Sequence, residues 1–328
     1  MAVKRRAAVT GVAGFIGSNL ADRLLAEGFT VVGVDDLSQG VIEQVPPGVE
    51  FHRRDIRDDG LEALFRGTDV LFHLAAKNCI ADCQADPVAT ADINVTGTVR
   101  VFEAARRARV PKIVYAESSA LYEGVATMPT PETAVAPRSF YAVSKLAGMA
   151  FAEAYRRWAG LRTTALRYFG VYGPRQDYRR TIPPVMSAFI LALLKGERPV
   201  IFGTGGKRRD FIYVDDVNDF HLRCVTDPRT DAGTFNVGTG VSHSVREILD
   251  EVARLLGVRV EPEYRDDLPG EAEETRADIT AARALGWEPK VDLTTGLERS
   301  IAHIREHVLG GAGAAGAARR AASEVARR

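Results

Sequence analysis

The chain has 328 residues, with 43 basic and 43 acidic side chains, and 46% of its residues are hydrophobic. Balanced charge leaves no electrostatic footprint for nucleic acid or an anionic membrane, and no apolar run reaches the roughly 18 residues of a membrane span. The hydrophobic content supports one large domain, or one domain with a smaller lobe.

Lys4, Arg5 and Arg6 precede an apolar stretch, as in a signal peptide, but Gly11, Gly14 and Gly17 interrupt it, and Asp22 and Arg23 follow. A strand and a glycine turn explain the segment better. Strands are expected at 7–10, 30–35, 49–54, 70–73, 112–116 and 163–168, and helices at 18–27, 60–65, 91–108 and 141–158. Alternating strands and helices predict an α/β fold: a Rossmann-type, doubly wound parallel sheet covered on both faces.

After Gly173-Pro174 the rhythm breaks at Pro183, Pro184 and Pro199 and at Gly203, Gly205 and Gly206, with helices expected near 245–256 and 293–307. This divides the chain into a cofactor-binding domain over 1–173 and a smaller C-terminal substrate-binding lobe over 174–308. Some lobe segments are expected to return to the main sheet. The Ala/Gly/Arg tail at 309–328 is expected to be disordered. Cys79, Cys83 and Cys224 make no disulfide framework, and no His or Cys cluster supports a metal site. Reduced thiols fit a cytoplasmic enzyme.

The run TGVAGFIG places Gly11, Gly14 and Gly17 directly after a strand, where backbone N–H groups, including those of Phe15 and Ile16, can approach a pyrophosphate. Alone, such a triplet is as readily a plain strand–helix turn. Here Asp35-Asp36 ends the next strand about 20 residues on, where a carboxylate can bind adenosine ribose hydroxyls. An acid there favours NAD over NADP. Asp55-Ile56 ends the third strand, where a side chain can meet the adenine edge. Leu74, Ala75 and Ala76 let the backbone pass close to a ligand, and His73 before them reads as a packed histidine.

Tyr141 and Lys145 stand at i and i+4 on one helix face. Without the glycine turn they would read as a surface pair. Beside a nicotinamide, the ammonium favours phenolate and makes Tyr141 a usable base. Ser118, just past the fifth strand, can share the substrate's hydroxyl proton, with Ser119 as the competing candidate.

These residues together resemble the extended short-chain dehydrogenase/reductase family, and within it the UDP-galactose 4-epimerase-like enzymes. The resemblance spans about residues 6–308. It is carried by TGVAGFIG, RDIRD at 54–58, HLAA at 73–76, DINVTGT at 92–98, YAVSK at 141–145, LRYFGVYGPRQ at 166–176, RRDFIYVDDV at 208–217 and FNVGTG at 235–240. It implies that Tyr141 takes a proton from a sugar hydroxyl, usually at C4, while NAD takes the hydride, which later returns to the other face. It also implies cofactor support from Asn94, Lys145 and Tyr168, nucleotide-base contact by Phe202, diphosphate contact by Arg209, and a homodimer joined through the helices at 91–108 and 141–158. Val95, Val99, Phe102, Leu146, Met149 and Phe151 could line that joint or belong to the core.

The sequence departs from the family pattern at Gly170, where an Asn usually contacts the diphosphate, at Leu268, where an Arg is usual, and at Cys83, where a Ser is usual. Gly170→Asn is accordingly expected to tighten UDP binding. Thr275 falls where a small side chain leaves room for an N-acetyl group. The resemblance thus implies 4-epimerisation of a UDP-hexose of the glucose, N-acetylglucosamine or glucuronate type. Ser119 and Ala120 replace the acid pair of the related dehydratases. Dehydration or net redox on an unusual activated sugar is the alternative, with Glu117 or Glu123 as the acid. A non-catalytic NAD sensor is the third reading.

Overall fold

The computed structural model describes residues 4–180, 182–267 and 272–310. Leu268 and the tail beyond residue 310 lie outside the described residues. The chain first lays down β1 (Arg6–Thr10), β2 (Thr30–Asp35), β3 (Val49–Arg53), β4 (Val70–His73), β5 (Lys112–Ser118) and β6 (Arg162–Tyr168). Between them run α1 (Phe15–Ala26), α2 (Leu61–Phe65), α3 (Ile80–Ala85), α4 (Pro87–Ala91), α5 (Thr98–Ala108) and α6 (Phe140–Ala159).

The lobe opens with β7 (Gly170–Tyr172), α7 (Val185–Leu194), β8 (Val200–Phe202) and β9 (Arg208–Tyr213). Next, α8 (Val214–Thr226) packs on α1, and β10 (Thr234–Val237) joins the main sheet beside β6. The chain then returns to the lobe through β11 (Ser242–Ser244), α9 (Val245–Leu256), β12 (Glu263–Arg265) and β13 (Glu274–Thr275). Finally α10 (Thr280–Ala284) and α11 (Leu293–His303) follow.

The main sheet is parallel throughout, in the order β10-β6-β5-β4-β1-β2-β3. Its strands are apolar on both sides because helices cover both faces. Leu20, Leu24, Phe72 and Phe220 pack on one face, and Val32, Phe65, Phe102 and Tyr115 on the other. Strand order reverses between β1 and β4, which opens a ligand crevice at the carboxyl ends of the strands. The lobe has its own core around Met186, Phe189, Ile201, Ile248 and Leu297.

Two expected helices differ from the sequence reading. The expected helix at 91–108 is α4, a wide π-type turn over Asp92–Gly97, and α5. Crowding explains the break: a Cβ on Gly97 would lie 2.6 Å from Ile56 Cδ1, and Asn94 is anchored to neighbouring segments. Such turns inside helices cluster at functional sites. The last helix likewise widens after His303, over Ile304–Leu309.

Candidate active site

The turn after β1 fits a dinucleotide. Gly11 has a φ of +74°, and a Cβ there would sit 2.8 Å from the Ala75 backbone nitrogen. A Cβ on Gly17 would lie 2.0 Å from the Gly11 carbonyl oxygen. Only bare backbone lets α1 start this close to the turn. Phe15, Ile16 and Gly17 form its first turn, and no side chain caps it. Its N–H groups are therefore available to an anion, and the helix dipole favours one.

Asp35 braces this turn. One carboxylate oxygen accepts from Ala13 N at 3.0 Å and the other from Leu37 N at 2.8 Å. Burial raises its pKa, and those two backbone donors oppose the rise. Lone pairs remain on both oxygens for ribose hydroxyls. Asp36 is spent locally, accepting from the Ser38 backbone N and hydroxyl. Asp35→Ala is therefore expected to weaken NAD about tenfold or more; fluorescence titration reads this, and unchanged affinity would move the ribose contact elsewhere.

The other expected cofactor residues divide by what they touch. Asp55 is held by Arg57 through its backbone N and guanidinium, which lowers the carboxyl's pKa, and Ile56 is buried in the core. Leu74 N and Ala75 N reach Thr10 Oγ1 at 3.2 and 3.3 Å, which keeps the 74–76 segment against the glycine turn. Asn94 receives Lys77 N and donates to Lys77 O and Ser144 Oγ, so its amide brackets the loop after β4 to α6. The Tyr168 hydroxyl is engaged by His221 Nε2 at 2.6 Å. His73 is a packed residue as expected, set between Thr10 and Thr98 hydroxyls, with burial pushing its pKa down to about 3.

Ser118, Tyr141 and Lys145 come together where β5 ends under α6. Ser139 caps α6 through Ala142 N, so Tyr141 falls in its first turn. The Ser118 hydroxyl faces the Tyr141 phenol closely enough to favour its ionisation. Ser118 Oγ also accepts from Ala120 N at 3.2 Å, while Ser119 opens the short helical turn that follows. Burial pushes Tyr141 up to about 12, and the Ser118 hydroxyl opposes this. Lys145 is 4% exposed and donates to Ala116 O at 2.9 Å. Burial pushes it down to about 8, against the pull of Glu117. The ammonium lies 6.0 Å from the Tyr141 ring centroid.

The two acids considered for dehydration are both engaged. Glu117 is fully buried and paired with Arg167 at 2.7 Å. Glu123 accepts from Arg138 N, Ser139 N and Ser139 Oγ. One group near Tyr141 escaped the sequence reading: Arg180, whose charge favours the phenolate; Cys83, the departure already noted, is buried against the same site. Arg180 comes from the loop between β7 and α7, whose placement no local pattern signals.

In the lobe, Arg209 and Thr275 are register partners on β9 and β13, both half-buried, and Arg209 Nη1 donates to Arg208 O at 2.9 Å. Phe202 ends β8 opposite Arg265 and is also half-buried. Gly170 pairs with Phe211 as β7 meets β9. A Cβ at Gly170 would lie 2.8 Å from Phe211 Cδ1 and 2.9 Å from Asp210 O. This argues against the expectation for Gly170→Asn. The strand pair has no room for the amide, so the variant should lose several degrees of thermal midpoint rather than gain UDP affinity. A stable variant that binds UDP more tightly in calorimetry would refute that.

Residues 7–238 match the NAD dependent epimerase/dehydratase family model. A UDP-glucose 4-epimerase of Mycolicibacterium smegmatis is 42% identical over 311 residues, covering 92% of this chain and 98% of the relative. The crystal structure of UDP-glucose 4-epimerase from Thermotoga maritima with UDP-glucose superposes with a TM-score of 0.89 at 34% identity, covering 92% of this chain and 99% of that one. That of the Thermus thermophilus UDP-glucose 4-epimerase with NAD gives 0.85 at 35% identity, with the same coverage. The glycine turn, the Tyr141–Lys145 pair and these likenesses agree that the chain belongs to the NAD-dependent epimerase/dehydratase family.

Proposed function

We propose that the chain interconverts the C4 epimers of a UDP-hexose by transient oxidation at C4. The observation that carries this is the Ser118–Tyr141–Lys145 constellation at the mouth of the crevice, with the nearby acids Glu117 and Glu123 both engaged by the protein. NAD supplies a reversible hydride acceptor when held at the uncapped α1 terminus, with Asp35 on its ribose. Tyr141, as phenolate, takes the C4 hydroxyl proton and later returns it. Ser118 shares that proton, and Lys145 holds the phenolate by its charge. Arg209 and Phe202 serve the diphosphate and base, and Thr275 leaves space at C2.

A homodimer fits the surface. Phe140, Val143, Phe151 and Trp158 form an exposed apolar stripe along α6, whereas Phe102 on α5 is fully buried core. No described helix is long and apolar enough to cross a membrane. With three free cysteines, the reading is of a cytoplasmic enzyme.

The test is a proton NMR time course with UDP-glucose, UDP-N-acetylglucosamine and UDP-glucuronate, with no NAD added to the purified protein. A 4-epimer should appear from at least one. No conversion of any, in protein shown to retain NAD, would overturn the reading.

A further inference from the structure

The residue before Ser118 is a buried acid whose position the reaction so far leaves unused. Glu117 has no exposed side-chain surface. Its Oε2 receives Arg167 Nε at 2.7 Å, while Oε1 is buried without a hydrogen-bond partner. Burial raises the Glu117 pKa, and the charges of Arg167 and then Lys145 oppose that rise and favour the carboxylate. Strand alternation sends Tyr115 and Glu117 to the same face of β5. That is the α6 face, because the Tyr115 hydroxyl meets Lys145 O and Arg167 Nη2 reaches Met149 Sδ. Lys145 Nζ is bonded to the carbonyl of Ala116, the residue next to Glu117.

We propose that Glu117, resting on the epimerase reading above, is a positioning residue: its carboxylate, clamped by Arg167, is the counter-charge that keeps Lys145 an ammonium beneath Tyr141. The groups facing Lys145 leave no other candidate among the described residues. Tyr115 lies 5.3 Å away by ring centroid and burial keeps it protonated. His73 on β4 is neutral above about pH 3, and burial raises the Cys83 thiol on α3. Tyr141 is the group to be ionised, and Arg167 on β6 carries the same sign as Lys145. Glu117 is the one carboxylate that acts on the ammonium, ahead of the Cys83 thiol, and it opposes the fall in pKa that burial imposes.

The sign follows. Without the carboxylate, Lys145 loses its proton at lower pH, and the phenolate loses its cation over the working range. A purely structural Glu117 would instead lower stability and leave the titration of Lys145 in place.

The experiment is a carbon-13 lysine NMR titration of the NAD-loaded protein, with the Lys145 signal assigned by its loss in Lys145→Met. Glu117→Gln should move the Lys145 midpoint down by about one pH unit, and the alkaline limb of the kcat profile should move with it. Glu117→Asp should keep both near their original places. Should Glu117→Gln leave Arg167 unpaired and fail to fold, the neutral pair Glu117→Gln/Arg167→Met carries the test, with a smaller move in the same direction. An unchanged Lys145 midpoint in a folded neutral variant overturns the proposal. The titration needs no turnover, so its failure is separate from a failure to epimerise any UDP-hexose.

Discussion

Tyr141→Phe should lower kcat by about 10³-fold while leaving NAD in place. The change removes one oxygen and keeps the ring that packs in the first turn of α6. General acid–base catalysis by a positioned side chain is worth roughly 10²–10⁴-fold, and no neighbour can take over. Ser118 is a poor base alone, and Lys145 is bonded to Ala116 O. The ligand-free phenol sits at about 12, so its ionisation near neutral pH depends on Lys145 and on the positive nicotinamide ring. The checks are the NMR rate and the NAD content of denatured protein. Turnover within about tenfold of the parent would remove Tyr141 from the base role. Loss of NAD together with turnover would make it a cofactor anchor instead.

Gly17→Ala should give a protein that neither holds NAD nor matches the parent's stability. The added methyl would stand 2.0 Å from Gly11 O, 2.8 Å from Gly11 C and 3.0 Å from Val12 Cα. All three are backbone atoms, so no rotamer relieves the clash. Either α1 moves off the turn or the turn itself opens. Overpacking of this kind costs about 1–3 kcal/mol, or roughly 2–4 °C of thermal midpoint in a chain of this size. A displaced α1 also withdraws the N–H groups proposed to hold the pyrophosphate, so NAD should be lost on gel filtration. A variant with the parent's midpoint and NAD content would show that the helix does not depend on that contact.

The main sheet was legible because each strand is a short apolar run between helical patterns, and parallel strands covered on both faces leave that signature. What the pattern did not show has long-range causes. The break at Asp92–Gly97 arises where Gly97 meets Ile56 and Asn94 meets Lys77 and Ser144. No local period encodes those meetings. Arg167 is fully buried in mid-sheet, and its acceptable burial depends on Glu117, fifty positions away.

The meeting of Ser118, Tyr141 and Lys145 was legible because Tyr141 and Lys145 share a helix face and Ser118 ends a strand. Side-chain commitments were not. Asp55 reads as free until Arg57 folds back on it, and nothing local signals that the Tyr168 hydroxyl meets His221 of α8. Gly170 looked like a missing ligand because one-dimensional alignment carries no trace of Phe211 crossing over it.

The late return of β10 also bears on how the chain is made. β6 is complete at residue 168, yet the strand that covers its outer edge spans Thr234–Val237. A nascent polypeptide that has emerged only through residue 173 presents β6 as a bare rim of unpaired N–H and C=O groups, open to pairing with a neighbouring copy. At about 5–20 residues per second of synthesis, that rim stays uncovered for several seconds. Expression of residues 1–173 by themselves should therefore yield inclusion bodies, and the shortest fragment that remains dispersed should be one that carries β10.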